Sequence, residues 1–109
     1  MAEVKWQKRA ERELYRYLVK GFVEFGEAAT NKFVGRVSHI NAELSKYPEI
    51  GFPEPLLKER KKTYRAYHIN QRFKLIYYYS SKTDTVHVAD IWDSRREPLS
   101  LSKRIKKNR

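Results

Sequence analysis

The feature of this sequence that most limits its fold is a change of hydrophobic period near the middle of the chain. Between residues 8 and 47, apolar residues recur at intervals of three and four, which is the spacing of one helix face. From residue 64 onward, short runs are rich in aromatic and β-branched residues, a composition typical of strands. Helices followed by a run of strands predict an α+β domain, with the helices packed on one face of a sheet.

The helical half divides into two amphipathic helices. Gly26 is the predicted break, because glycine takes the left-handed conformation at a helix C-terminus without strain. Pro48 ends the second helix. Since almost no linker separates the two helices, they form a predicted αα-hairpin, and its two apolar stripes must cover another element. The stripes are Ala10, Leu14, Tyr17, Leu18, Phe22 and Phe25, then Ala29, Phe33, Val37, Ile40, Leu44 and Tyr47.

Four segments are strand candidates, and short turns join the last three, which must therefore run antiparallel. The predicted order is β-α-α-β-β-β, an antiparallel sheet with the helical hairpin on one face. The proline-rich stretch between the second helix and the second strand is a predicted loop. We expect one domain over 1–109, with a basic C-terminal tail from about 99 to 109. The strand candidates are Glu3–Trp6, Tyr64–Ile69, Arg72–Ser80 and Thr85–Trp92.

The third of these strands has two unlike faces. Because side chains alternate along a strand, one face holds only apolar and aromatic residues. The opposite face mixes cations with aromatics, which favours a functional concavity over a buried core. The first face is Phe73, Leu75, Tyr77 and Tyr79, and the second is Arg72, Lys74, Ile76 and Tyr78.

The charge of the chain is distributed unevenly. The formal net charge is +11. Residues 1–50 have 9 basic and 7 acidic side chains, whereas residues 51–109 have 15 basic and 6 acidic ones. A basic field concentrated in one half favours a polyanionic partner, such as a nucleic acid, a ribosome or an acidic protein.

Several classes of protein are excluded or disfavoured by what the sequence lacks. There is no cysteine, which excludes a disulfide framework, a cysteine-ligated zinc site and a thiol nucleophile. His39, His68 and His87 are not spaced as metal ligands, so we expect no metal and no other cofactor. No run approaches the ~18 apolar residues of a membrane span, and charges interrupt the N-terminus. We therefore expect a cytoplasmic protein without membrane contact.

Several short segments, taken in order, resemble the RelE/ParE toxin superfamily over residues 3–105. The likeness is greatest to ParE-like members, which have two long helices and a loop of the type P-E-x-G. It implies the toxin of a type II toxin–antitoxin pair, of the kind associated with plasmid stabilisation, neutralised by a cognate antitoxin protein. The segments are Val4-Lys5-Trp6, Tyr47-Pro48-Glu49-Ile50-Gly51, Tyr64-Arg65, Phe73-Lys74-Leu75-Ile76-Tyr77-Tyr78 and the stretch from Asp90 to Pro98.

The resemblance leaves three functions open. ParE-like members are known for inhibiting DNA gyrase, and this is the first hypothesis. RelE-like members cut mRNA on the ribosome without a metal. The third possibility is an attenuated, non-toxic member that keeps the fold as an RNA-binding module.

The nuclease hypothesis assigns definite residues. By resemblance, Arg65, Lys74 and Arg96 would be catalytic, as cations that stabilise the pentacovalent phosphate. RelE-like nucleases also have a tyrosine several residues after the last arginine. Here no tyrosine or histidine follows Trp92, so a general acid is missing and the ParE-like interpretation is favoured.

Further residues are candidates for binding rather than catalysis. Tyr67 and Tyr78 are predicted antitoxin contacts, and Asp90 is predicted to anchor Arg95 or Arg96 by a salt bridge. Seven cations of the loop before the second strand and of the C-terminal segment are predicted to contact nucleic acid or the target. They are Lys58, Arg60, Lys61, Lys62, Arg95, Lys103 and Arg104.

Overall fold

A computed structural model describes residues 1–105 and shows the α+β architecture that the sequence predicts. The predicted order of strands and helices is confirmed, and three short elements are added to it: strand β2, a 3₁₀ helix and helix α3. The elements are β1 (Glu3–Trp6), α1 (Lys8–Phe25), α2 (Glu27–Lys46), β2 (Phe52–Pro53), the 3₁₀ helix Pro55–Leu57, β3 (Tyr64–His68), β4 (Phe73–Ser80), β5 (Thr85–Asp93) and α3 (Leu99–Arg104).

The hairpin of α1 and α2 turns at a single residue. Gly26 has φ 87°, a conformation that glycine adopts without the cost a Cβ would impose. Its backbone N–H donates to the carbonyl oxygen of Phe22, which closes the last turn of α1, and α2 begins at the next residue. The glycine break predicted from the sequence is therefore confirmed.

The sheet has five strands in the order β1-β5-β4-β3-β2. Strands β3, β4 and β5 pair antiparallel, as predicted, but β1 pairs parallel with β5, so the sheet is mixed. Parallel neighbours need a long crossover, and the helical hairpin with β3 and β4 provides it. Ile76 pairs with Asp90 and Tyr77 with Val88, so Ala89 is the extra residue of a β-bulge.

The hairpin covers one face of the sheet. Helix residues Ile40 and Leu44 are fully buried there, in one apolar cluster with Leu75 and Tyr77 of β4. This is the apolar face predicted from the alternation of β4. Its further buried members include Val37, Ile69, Phe73, Val86, Val88 and Ile91.

The opposite face of the sheet is also covered, which differs from the open concavity that the sequence favours. The 3₁₀ helix contributes Leu57, and α3 and the residue after it contribute Leu101 and Ile105. Leu101 and Ile105 are four residues apart, so a helix places both on one side, facing the sheet. Residues 99–105 of the predicted basic tail thus pack on the domain, while 106–109 lie outside the described residues. The sheet side of this cluster is Tyr64, Ala66, Ile76, Ala89 and Trp92.

Candidate functional site

The three residues that the nuclease hypothesis makes catalytic do not share one face of the sheet. Arg65 pairs directly with Tyr77, whose ring belongs to the helix-covered face. Lys74 pairs with Trp92, which belongs to the opposite face. Directly opposed residues of an antiparallel pair point to the same side, so the sheet separates Arg65 from Lys74.

Arg65 holds the loop that precedes β2. Its guanidinium donates to the carbonyl oxygens of Gly51 at 2.8 Å and Glu49 at 3.2 Å. The backbone N–H of Gly51 in turn donates to the Tyr77 hydroxyl at 2.8 Å. A Cβ at Gly51 would lie 2.6 Å from the carbonyl oxygen of Ala66, so glycine is required for this close packing. The P-E-x-G segment therefore has a structural reason for its glycine.

Lys74 forms a buried ion pair with Glu54, the residue before the 3₁₀ helix. The Glu54 side chain is 1% exposed, and its other carboxylate oxygen accepts the backbone N–H of Leu56 at 3.1 Å. Lys74 is thus the counter-ion that permits a buried carboxylate at this position. It fastens the 3₁₀ helix to the sheet face that α3 also covers.

Arg96 lies over the ring of Trp92, with 4.9 Å between its guanidinium carbon and the ring centroid. Its backbone N–H donates to the carbonyl oxygen of Asp93, which closes the turn after β5. Burial raises the pKa of the Tyr17 hydroxyl, and the neighbouring Arg96 opposes that rise. Arg96 and Lys74 thus both lie beside Trp92, whereas Arg65 lies on the other face of the sheet, so the structure does not bring all three together.

Arg104 of α3 is anchored by Asp90, at 2.8 Å, and lies 3.4 Å from Glu13 of α1. Asp90 is fully buried, and burial raises its pKa to about 6, although Arg104 opposes the shift. Asp90 thus pairs with Arg104 rather than with Arg95 or Arg96, which corrects the sequence prediction. The reason is that α3 returns over the end of β5 and brings Arg104 to Asp90. Arg95 instead lies 3.7 Å from Asp93, which precedes it by two residues in the chain.

Arg60 binds the C-terminal end of α3. Its guanidinium donates to the carbonyl oxygens of Ser102, at 2.8 Å, and Ile105, at 2.9 Å. A cation at a helix C-terminus also opposes the negative end of the helix dipole. Two of the seven predicted binding cations, Arg60 and Arg104, are therefore engaged within the protein.

The other five predicted binding cations are exposed. Lys62 lies 4.5 Å from the centroid of the Tyr78 ring. Within residues 1–105, the side chains of Lys58, Lys61 and Lys103 make neither an ion pair nor a hydrogen bond. The structure distributes these exposed cations over the loop before β3, the turn after β5 and α3.

The two predicted antitoxin contacts, Tyr67 and Tyr78, lie on opposite faces of the sheet. Tyr67 packs against the apolar cluster on the helix-covered face, and its hydroxyl donates to Glu43 of α2 at 3.1 Å. Tyr78 packs against the cluster on the opposite face and stacks on His87, with 4.8 Å between the ring centroids. Both are half-buried, so one flat partner surface does not reach both rings.

A surface that the sequence analysis missed lies on the outer side of α1. Tyr15, Val19, Phe22 and Val23 are 72%, 47%, 54% and 80% exposed. Their spacing places them on one helix face, which we call the outer stripe. In the sequence, the outer stripe is visible as Tyr15, Val19 and Val23, which are four residues apart. The longer stripe that includes Leu14 and Tyr17 gives the stronger helical pattern of apolar residues in this segment. The sequence prediction placed Phe22, Phe25 and Tyr47 in the apolar stripes that cover the sheet, but all three are exposed, and Phe22 belongs to the outer stripe.

A second apolar feature opens where the hairpin meets the turn between β3 and β4. It is a groove of about 270 Å³ whose exposed lining is largely apolar and which Arg72 also lines. Arg72 is held by Asp93 at 2.9 Å, and this contact lowers the pKa of the Asp93 carboxyl although burial opposes the change. The aromatic residues that line the groove are Tyr17, Phe25, Phe33 and Phe73.

Neither a metal centre nor a membrane-spanning helix is found in the described part of the chain. Within residues 1–105, no three His, Asp or Glu side chains lie close enough together to hold a metal ion. None of the helices in that range is both long and apolar enough to cross a membrane.

Two solved structures share this arrangement of sheet and helical hairpin. One is described as the chromosomal ParDE TA system from P. aeruginosa, with a TM-score of 0.67 and 17% identity over 85% of this chain and 96% of that one. The other is described as a metal-bound toxin from Helicobacter pylori, with a TM-score of 0.65 and 15% identity over 87% of this chain and 97% of that one. At these identities the likeness establishes the fold alone.

A comparison of the sequence with models of protein families identifies the family of the chain. Residues 4–98 match the family model described as the ParE toxin of type II toxin-antitoxin system, parDE. The chain therefore belongs to the ParE toxin family. No curated protein matches it.

Proposed function

We propose that this ParE-family toxin acts by binding an essential bacterial target, with DNA gyrase as the family precedent, and that a cognate antitoxin neutralises it by covering the outer stripe of α1. The observation that supports the proposal best is the exposure of the outer stripe, where Val23 is 80% and Tyr15 72% exposed. A contiguous apolar surface of this kind on a small domain marks a protein-binding site.

The chemistry of the surface indicates the kind of antitoxin segment. An apolar stripe on a helix is complementary to the apolar face of a second amphipathic helix. The toxin has a net charge of +11, so acidic residues beside the partner's apolar face would gain from the surrounding field. We therefore expect an acidic, amphipathic helical segment.

The nuclease alternative has less support. It requires cations free to approach a scissile phosphate on one surface. Arg65 and Lys74 lie on opposite sides of the sheet, and both are bonded within the protein. The mechanism also needs a general acid after Trp92, and no tyrosine or histidine follows that residue.

The antitoxin proposal is tested by co-purification with an antitoxin candidate, which we expect to be a small acidic protein encoded by a gene adjacent to that of the toxin. Val19→Glu combined with Val23→Glu places two charges in the outer stripe, and we expect binding to weaken by at least a hundredfold, because each buried charge is costly. The fold should change little, since both side chains are exposed. Lys32→Glu with Lys82→Glu, at exposed positions outside the stripe, is the control. Equal binding by the wild type and the stripe variant would refute this surface as the antitoxin site.

The target is tested by two measurements, one on the purified toxin and one in bacterial cells that express it. We expect the purified toxin to inhibit supercoiling by DNA gyrase in vitro, and brief expression of the toxin to stop growth without creating mRNA ends inside translated regions. The Arg65→Ala and Arg96→Ala variants separate the alternatives, since a nuclease would lose cleavage in both. New mRNA ends that vanish in these variants would replace the gyrase proposal with the nuclease one.

A further inference from the structure

A polar cleft lies at the opposite end of α1 from most of the outer stripe. It has a volume of about 500 Å³ and opens between the first turns of α1, the loop before β3 and the end of α3. Five cations line it, and none of the lining residues in the described chain is acidic. They are Lys8, Arg9, Arg12, Lys62 and Arg104.

Two of these cations have no partner inside the protein. Within residues 1–105, the side chains of Lys8 and Arg12 make no ion pair and no hydrogen bond. Lys8 is the first residue of α1, where the helix dipole is positive and a cation is unfavourable for stability. Gln7, the N-cap residue, makes no capping hydrogen bond with its side chain. Glu11 is the acidic residue of this first turn, but it does not line the cleft.

The other side of the cleft is rigidly built. Arg104 is held by Asp90 and Glu13, and its backbone carbonyl accepts a hydrogen bond from Arg9. Lys62 is kept beside the Tyr78 ring, 4.5 Å from its centroid. The two carboxylates behind Arg104 offset its charge, and the nearby Arg9 also interacts with Asp90. Lys8, Arg12 and Lys62 have no acidic partner among the residues that line the cleft.

We propose that this cleft binds the phosphodiester backbone of single-stranded nucleic acid. Arginine guanidinium groups match phosphate oxygens in a two-point geometry, and a basic groove that follows the backbone is the common means of binding single strands. An acidic protein segment is the weaker fit, because a peptide site needs apolar anchors, and these lie on the outer stripe instead. The inference is independent of the toxin's target and of its antitoxin.

The test is fluorescence anisotropy of the full chain with labelled 20-nucleotide single strands of DNA and of RNA. The variant Lys8→Ala with Arg12→Ala removes the two unpartnered cations of the cleft. The matched control is Lys32→Ala with Lys82→Ala, which removes the same charge from exposed positions elsewhere. Inorganic phosphate and a poly-glutamate peptide serve as competitors.

We expect the cleft variant to bind roughly tenfold more weakly, and its dependence of log K on log salt concentration to be less steep by about 1.4, as two lost phosphate contacts predict. The control variant should bind within about twofold of the wild type. Equal losses in the cleft and control variants would reduce the binding to general charge attraction and overturn the site. The site would also be overturned if neither oligonucleotide bound at low salt. The same conclusion would follow if poly-glutamate or free phosphate bound as tightly as the single strands.

Discussion

The two faces of the sheet are covered in different ways. The helix-covered face is closed by two long helices through an apolar cluster that includes Ile40, Leu44 and Leu75. The opposite face is closed by a 3₁₀ helix of three residues and a helix of six, which are fastened by Lys74, Arg60 and Arg104. Short elements bury little apolar surface, so charged contacts contribute a larger share of their attachment. Cations that resemble a nuclease site thus have a structural use.

The largest effect should follow from breaking the Lys74–Glu54 pair. Lys74→Met leaves the Glu54 carboxylate buried without its counter-ion, and we expect the free energy of unfolding to fall by about 3 kcal/mol. Chemical denaturation monitored by fluorescence measures it. Adding Glu54→Gln should recover most of the loss, because glutamine still accepts the Leu56 N–H without a charge. A stable single variant would show that the pair is not what attaches the 3₁₀ helix.

The helix-covered face is tested at Gly51, which lies against Tyr77. Gly51→Ala forces a Cβ to within 2.8 Å of the carbonyl oxygen of Ala66 and of the Tyr77 ring, so we expect a loss of about 2–3 kcal/mol. Gly35→Ala is the matched control, since its Cβ would meet nothing within 4 Å. In the middle of α2 it should stabilise by about 0.5–1 kcal/mol. The same thermal melt compares both variants, and similar melting temperatures would contradict the packing argument.

The buried Asp90 makes the second face sensitive to pH. Its pKa is about 6 in the folded state against 3.8 as the ordinary value, so ionisation opposes folding. The stability that the protonated Asp90 side chain contributes is fully present at a pH below its ordinary pKa, and it is lost as the pH rises through about 6. Between about pH 4.5 and pH 7.5 this amounts to about 2 kcal/mol. Asp90→Asn, which cannot ionise, should gain that much relative to the wild type over the interval, and parallel stability profiles for the two proteins would contradict the shift.

A smaller effect should follow from removing the clamp on α3. Arg60→Ala loses the hydrogen bonds to the carbonyl oxygens of Ser102 and Ile105, and we expect a loss of about 1–2 kcal/mol. The loosening should be local, so hydrogen exchange should accelerate at the amide of Ile105, which donates to Leu101. Lys61→Ala, at the exposed neighbour, should leave exchange unchanged. Unaltered protection of Ile105 in Arg60→Ala would show that apolar packing alone holds α3.

The functional site was harder to predict from the sequence than the fold was. Alternation along β4 correctly divided its residues between two faces, but it did not place Arg65 relative to Lys74, because that depends on the register with β3. The turn between the strands sets this register, and a shift of one residue would move Arg65 to the other face. The outer stripe was missed because an exposed apolar stripe and a buried one follow the same helical period.

The sequence by itself determined the elements that rest on local periodicity and backbone preference. The hairpin of α1 and α2, its break at Gly26 and the three antiparallel strands follow from residues a few positions apart. Tertiary structure alone decided which charges meet. Arg60 and Ile105 are 45 residues apart in the chain. An ion pair or hydrogen bond at such a separation depends on the path of the whole chain, and a cation's type and neighbours in sequence do not specify it.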